Sequence, residues 1–193
     1  GRALSGPKRV SIKNRTSGLQ KMNKKIKQSI PLPYLFIALT MAPIFLIAFF
    51  FPANATSAPF TRIESFINTY LLGLVGFWSS NFPFSSKVIT NYIGLLGPIF
   101  AAIFFLKVRK GMVIDADQYA TMTITKYLFS SVVLLCFIYM IVSVSYFYPH
   151  DLAAHNLKWG LFGKNILTYA LFSSGILFIT YFITLILYFT LLY

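Results

Sequence analysis

The chain has 193 residues, of which 57% are hydrophobic, 18% aromatic and only 11% charged. A soluble domain carries about 25% charged residues, so this chain lacks the polar surface to cover itself in water. The net charge of +13 would suit nucleic acid, but nine of the seventeen basic residues lie in the first 27 positions, ahead of an apolar stretch. That layout reads as a tail held near anionic lipid, with no nucleic-acid partner.

Residues 1–30 are basic, polar and short of large apolar groups, and are expected to form a disordered cytoplasmic tail. Met22-Asn23-Lys24-Lys25-Ile26-Lys27 has the form of a natural start, which would place residues 1–21 upstream of the native chain. Lys24, Lys25 and Lys27 would then suffice as the basic flank that orients the first span.

Leu32–Phe51 is the first expected span, twenty residues reached through Pro31 and Pro33 and interrupted by Pro43. A proline there removes a backbone hydrogen bond, which neighbouring helices must make good. A secretory signal ending at Ala53-Asn54-Ala55 is the rival reading, but twenty apolar residues exceed the about 7–15 of such a segment. In the connection that follows, Ile67, Tyr70, Leu71, Leu74 and Trp78 share one helical face, which predicts a short interfacial helix over Phe66–Trp78. A further span over Ser65–Ser86 is disfavoured, because it would turn the next basic cluster outward.

Val88–Leu106 is the second span: nineteen uncharged residues followed at once by Lys107, Arg109 and Lys110. Lys and Arg are retained on the cytoplasmic face, so this span runs from outside to inside. Spans three and four are expected at Tyr127–Phe147 and from Ile166 to about residue 188. With both termini inside, thirteen basic residues fall inside and four outside. The fold class that follows is all-α: a polytopic four-transmembrane-helix bundle over residues 31–193, with the short interfacial helix in its first outer loop.

Apart from tyrosines and Cys136, these spans hold no ionisable side chain. An intramembrane Asp, Glu, Lys or Arg is the usual mark of an ion path, so its absence speaks against a pump or ion-coupled transporter. Cys136 is the sole cysteine and cannot build a disulfide framework. His150, Asp151 and His155 are the nearest approach to a metal set, but they are read as solvated loop side chains, since a zinc site needs three or four ligands in matched geometry. Neither a Ser–His–acid set nor a phosphate-binding glycine loop is present, so neither a cofactor nor an enzymatic activity is expected.

What remains is surface. Gly94, Gly97, Pro98, Ala101 and Ala102 give span two a small-residue face on which another helix can pack closely. It serves either this protein's own helices or a partner's. In span four, Tyr169, Ser173, Thr180 and Thr184 form a weakly polar stripe. The last outer loop, with Asp151, His155, Lys158 and Trp159, offers a large apolar contact beside charges that discriminate among partners.

The layout resembles the inner-membrane immunity proteins that protect bacteria against pore-forming colicins of the A and B type. Pro83 precedes the second span, Asn91-Tyr92 stands at its outer end, Pro98 follows within it and Lys107-Val108-Arg109 closes it. A long outer loop before span two, and Asn165-Ile166-Leu167-Thr168 opening a Phe/Tyr/Thr-rich last span, are also similar. The likeness covers residues 32–193. It implies four spans with both ends in the cytoplasm, and binding of a bacteriocin's pore-forming domain within the lipid bilayer so that its channel does not open. Such a gene would sit beside a toxin gene, usually on a plasmid. The alternative is a non-catalytic accessory subunit of a membrane transport or conjugation complex.

Overall fold

The computed structural model describes residues 30–112, 123–154 and 159–192. The basic tail with Lys24, Lys25 and Lys27, and the loop residues His155 and Lys158, lie outside them.

Four apolar helices alternate in direction. Helix α1 (Tyr34–Phe50) starts after Pro33 and stops at Phe51, whose extended backbone leads into Pro52. Helix α2 (Ala58–Tyr70) lies in the connection, and strand β1 (Phe77–Trp78) follows it. Helix α3 (Pro83–Val108) ends in a single 3-10 turn, Arg109–Gly111. Helix α4 (Ile124–Val142) widens into one π-helical turn, Ser143–Phe147, before strand β2 (His150–Asp151). A short helix α5 (Gly160–Lys164) and the long α6 (Ile166–Leu192) complete the chain.

Among the described residues three helical stretches are long and apolar enough to cross a membrane: Pro83–Gly111, Ile124–Phe147 and Ile166–Tyr188. α1 is equally apolar but has 17 residues, about 25 Å of helix against the roughly 30 Å of a bilayer core.

The expected helix over Phe66–Trp78 is corrected by this fold. The loop does contain a helix, but it is shifted toward the N-terminus, and residues 71–76 are irregular. Gly73 and Gly76 take φ of +67° and +62°, which no right-handed helix admits. The start signal was present in Ser57-Ala58-Pro59, a proline in the first turn after a serine. The second apolar helix likewise begins at Pro83, not Val88, and takes Lys87 into its second turn.

The core forms where α1, α3 and α6 meet. Ile44, Ile89, Phe104, Ala170, Leu177 and Tyr181 are fully enclosed there, and Phe104 stacks on Tyr181 with ring centroids 5.0 Å apart. α4 is different: Ile138 is its one buried residue. It is clipped to α6 by two tyrosines, Tyr127 donating to the Thr190 carbonyl and Tyr146 sharing a hydrogen bond with Thr180. Between the clips runs an apolar groove of about 400 Å³, walled by Phe137 and Ile141 on one side and Phe178 and Phe182 on the other.

Candidate functional site

Both long connections lie at one end of the bundle, and hydrogen bonds knit them into a single cap. β1 and β2 pair in parallel, Phe77 opposite His150 and Trp78 opposite Asp151. His150 N–H donates to the Gly76 carbonyl at 2.8 Å and Leu152 N–H to the Trp78 carbonyl at 2.9 Å. The Asp151 carboxylate accepts from the Ser80 and Ala153 N–H groups, each at 3.0 Å.

Ser79 is the hub on the other side. Its hydroxyl donates to the Gly163 carbonyl at 2.5 Å, and its N–H donates to Ser86 Oγ at 3.2 Å. Asn81 Nδ2 reaches the same Gly163 carbonyl at 3.2 Å. Gly163 must be glycine, because a Cβ there would collide with the Leu152–Ala153 peptide. Below, the fully buried Tyr169 donates to the Phe77 carbonyl at 2.7 Å, which seats the cap on α6.

Asn91 fixes the irregular segment after α2. It is 2% exposed, accepts from Leu72 N–H at 3.1 Å, and donates to the Gly73 carbonyl at 2.8 Å. A buried amide needs partners for both its oxygen and its nitrogen, and this turn supplies them. Glu64 from α2 pairs with Lys87 at 2.6 Å, tying α2 to α3. In the sequence Asn91 stands at the outer end of the second span with no role assigned, and Lys87 falls just before that span, among the four outer basic residues. An amide and a cation beside an apolar stretch were the available signals.

No protein-family model, no curated protein and no solved structure matches the chain.

The expected site residues separate into three groups. Trp159 is 55% exposed on the cap, its ring resting on Phe162 and Phe172 at centroid distances of 6.2 and 6.1 Å. Asp151 is half-buried, and its Oδ1 is engaged by backbone N–H groups, so this oxygen shapes the cap. Gly94 and Gly97 face the protein's own side chains: a Cβ on Gly94 would meet Leu72, and one on Gly97 would meet the Tyr146 hydroxyl and Leu177. That small-residue face receives Tyr146 from the π turn, which is internal packing; Pro98 beside it is exposed.

Lys107, Arg109 and Lys110 sit at the opposite end, where Lys107 Nζ lies 5.7 Å from the Phe36 ring centroid and Pro31 packs against Gly111. Among the described residues that end holds four cations, with Lys126 the fourth, and no carboxylate. The capped end holds Arg62, Lys87 and Lys164 against Glu64 and Asp151. Also among the described residues, no three His, Cys, Asp or Glu side chains gather as metal ligands.

Proposed function

We propose that this chain is a bacteriocin immunity protein of the inner membrane, which binds the pore-forming domain of a colicin-type toxin and prevents its channel from opening. In this reading all four apolar helices span the bilayer, both termini are cytoplasmic and the cap faces outward. The charge distribution favours that orientation: among the described residues four cations lie at the uncapped end against three at the capped end, and nine more precede α1 in the sequence.

The observation that carries the proposal is the cap itself. Two connections that a bundle could leave loose are locked together by β1–β2, Ser79 and Gly163, and the exposed Trp159 stands on this rigid base. A preorganised surface with a protruding indole is suited to binding, because little ordering cost remains when a partner arrives. The helices beneath it offer packing surface and no charged path through their middle.

The test is protection. Cells sensitive to a pore-forming toxin, expressing this chain, are challenged with a toxin panel and followed by survival and membrane potential. Retained potential against one toxin or a narrow group is expected, and exchanging residues 148–165 for the last outer loop of a colicin immunity protein should shift the protected range. Equal depolarisation with and without the protein across the panel would replace this reading with the accessory subunit. The bare α4, with Ile138 alone buried, favours that second reading, since a helix so little covered by its own chain suits a permanent neighbour.

A further inference from the structure

The uncapped end of α3 carries a feature used neither by the helix packing nor by the proposed toxin partner. Lys107, Arg109 and Lys110 line a recess of about 530 Å³ together with Ile103 and Leu106. Ile103, Leu106, Lys107 and Lys110 recur at intervals of three and four, which puts them on one side of the helix. Further up that side stands Ile99. Ile99, Ile103 and Leu106 are 54%, 38% and 50% exposed, an uncovered apolar strip leading away from the cations. The buried face of the same helix carries Ile93, Gly97, Ala101, Phe104 and Val108.

Among the described residues none of the three cations has a carboxylate partner; the ion pair there is Lys87–Glu64, at the capped end. The carbonyl end of α3 compensates only part of this charge. Lys107 is further held by the Phe36 ring, which limits its freedom to swing out into solvent. A cluster of this kind calls for an anion, and the aliphatic wall beside it calls for an apolar chain on the same molecule.

We propose that the recess binds an anionic phospholipid, with its phosphate among Lys107, Arg109 and Lys110 and an acyl chain along Leu106, Ile103 and Ile99. A zwitterionic lipid presents a phosphate too, but its ammonium group cancels the attraction. Three cations suit a lipid with two phosphates better than a lipid with one. The inference rests on α3 lying in a bilayer and is independent of any toxin.

The full chain, purified in detergent, is offered phosphatidylglycerol, diphosphatidylglycerol and phosphatidylethanolamine at equal concentration, and bound lipid is counted by native mass spectrometry. One anionic lipid should be retained about tenfold over phosphatidylethanolamine. Arg109→Gln with Lys110→Gln should lower that retention about tenfold, whereas Lys126→Gln, at the same end but outside the recess, should not. Ile103→Asn keeps every cation and makes the acyl-chain wall polar; it should also lower lipid retention, and it carries the test if the double variant misfolds by circular dichroism. Glycerol phosphate, which has the headgroup chemistry without a chain, should not compete. The proposal is overturned by equal retention of all three lipids, by an equal loss in Lys126→Gln, by full retention in Ile103→Asn, or by displacement with glycerol phosphate.

Discussion

Tyr181 donates its hydroxyl proton to Thr40 Oγ1 at 2.7 Å, across 141 positions of sequence. Tyr92 donates to the Thr40 carbonyl at the same distance, so α1, α3 and α6 converge on one threonine. Thr40 lies three residues before Pro43, whose missing N–H leaves the Leu39 carbonyl without a helical donor. The weakest turn of α1 is therefore the turn its neighbours brace.

Tyr181→Phe should destabilise the bundle by about 0.6 kcal/mol and by no more than about 1.7, the range found for hydrogen bonds between membrane helices. Tyr181→Ala also removes the stack on Phe104 and should cost about 3 kcal/mol. Unfolding in mixed micelles measures both, and a cycle with Thr40→Val isolates the pair. A coupling energy of zero would show that the contact does not stabilise the bundle.

Two glycines should be irreplaceable where a third is not. A Cβ at Gly76 would strike the Ser145 carbonyl oxygen, and one at Gly163 the Leu152–Ala153 peptide, whereas a Cβ at Gly175 meets nothing within 4 Å. Gly76→Ala and Gly163→Ala should each lower stability by about 2 kcal/mol. Gly175→Ala should leave it unchanged or raise it by about 0.5–1 kcal/mol. Thermal midpoints of the three variants in one detergent decide the matter, and identical midpoints would rule out the close approaches.

Glu64→Gln should be harmful, and a second substitution should repair it. The Lys87 side chain is only 12% exposed, so removing its counter-ion strands a charge. Glu64 is 32% exposed, so the cost falls below that of a fully buried pair, at about 2 kcal/mol. Glu64→Gln combined with Lys87→Met should recover most of the loss in the same assay. Failure to recover would mean that Glu64 serves α2 by another route.

The orientation is open to chemical labelling. In a Cys136→Ser background, Thr61→Cys and Ala154→Cys report on the capped end and Met112→Cys on the other. An impermeant thiol reagent added to intact cells should modify the first two and spare the third. Modification of position 112 alone would turn the molecule over.

The long apolar helices were legible because absence of charge over about twenty residues is a property of composition, visible without knowledge of packing. Their limits were less so. Lys87 reads as a boundary until Glu64 is known to neutralise it, and that contact joins residues 23 apart. The loop helix was misread because the apolar face from Ile67 to Trp78 spans a segment that also holds Gly73 and Gly76, whose backbone conformation excludes a helix, while Arg62 and Glu64 removed its true first turns from an apolar search. The cap was not legible at all. Two-residue strands carry no periodicity, and the cap around them is held by Asp151 and Ser79 side chains meeting backbone groups of distant segments.

The meeting of three helices at Thr40 also sets an order of events. A chain made from its N-terminus completes α1 and α3 well before Tyr181 exists. The intervening roughly seventy residues take several seconds at about 5–20 residues per second. Through that interval Thr40 and Tyr92 can find each other, but the inner surface of both helices waits for α6, which supplies Leu177, Tyr181 and Leu185 to the shared core. The two early helices must persist as a pair with one side uncovered, and the bundle closes only when α6 arrives. A ribosome stalled before residue 166 would therefore leave a half-built pair with its seam open, a natural substrate for membrane proteases.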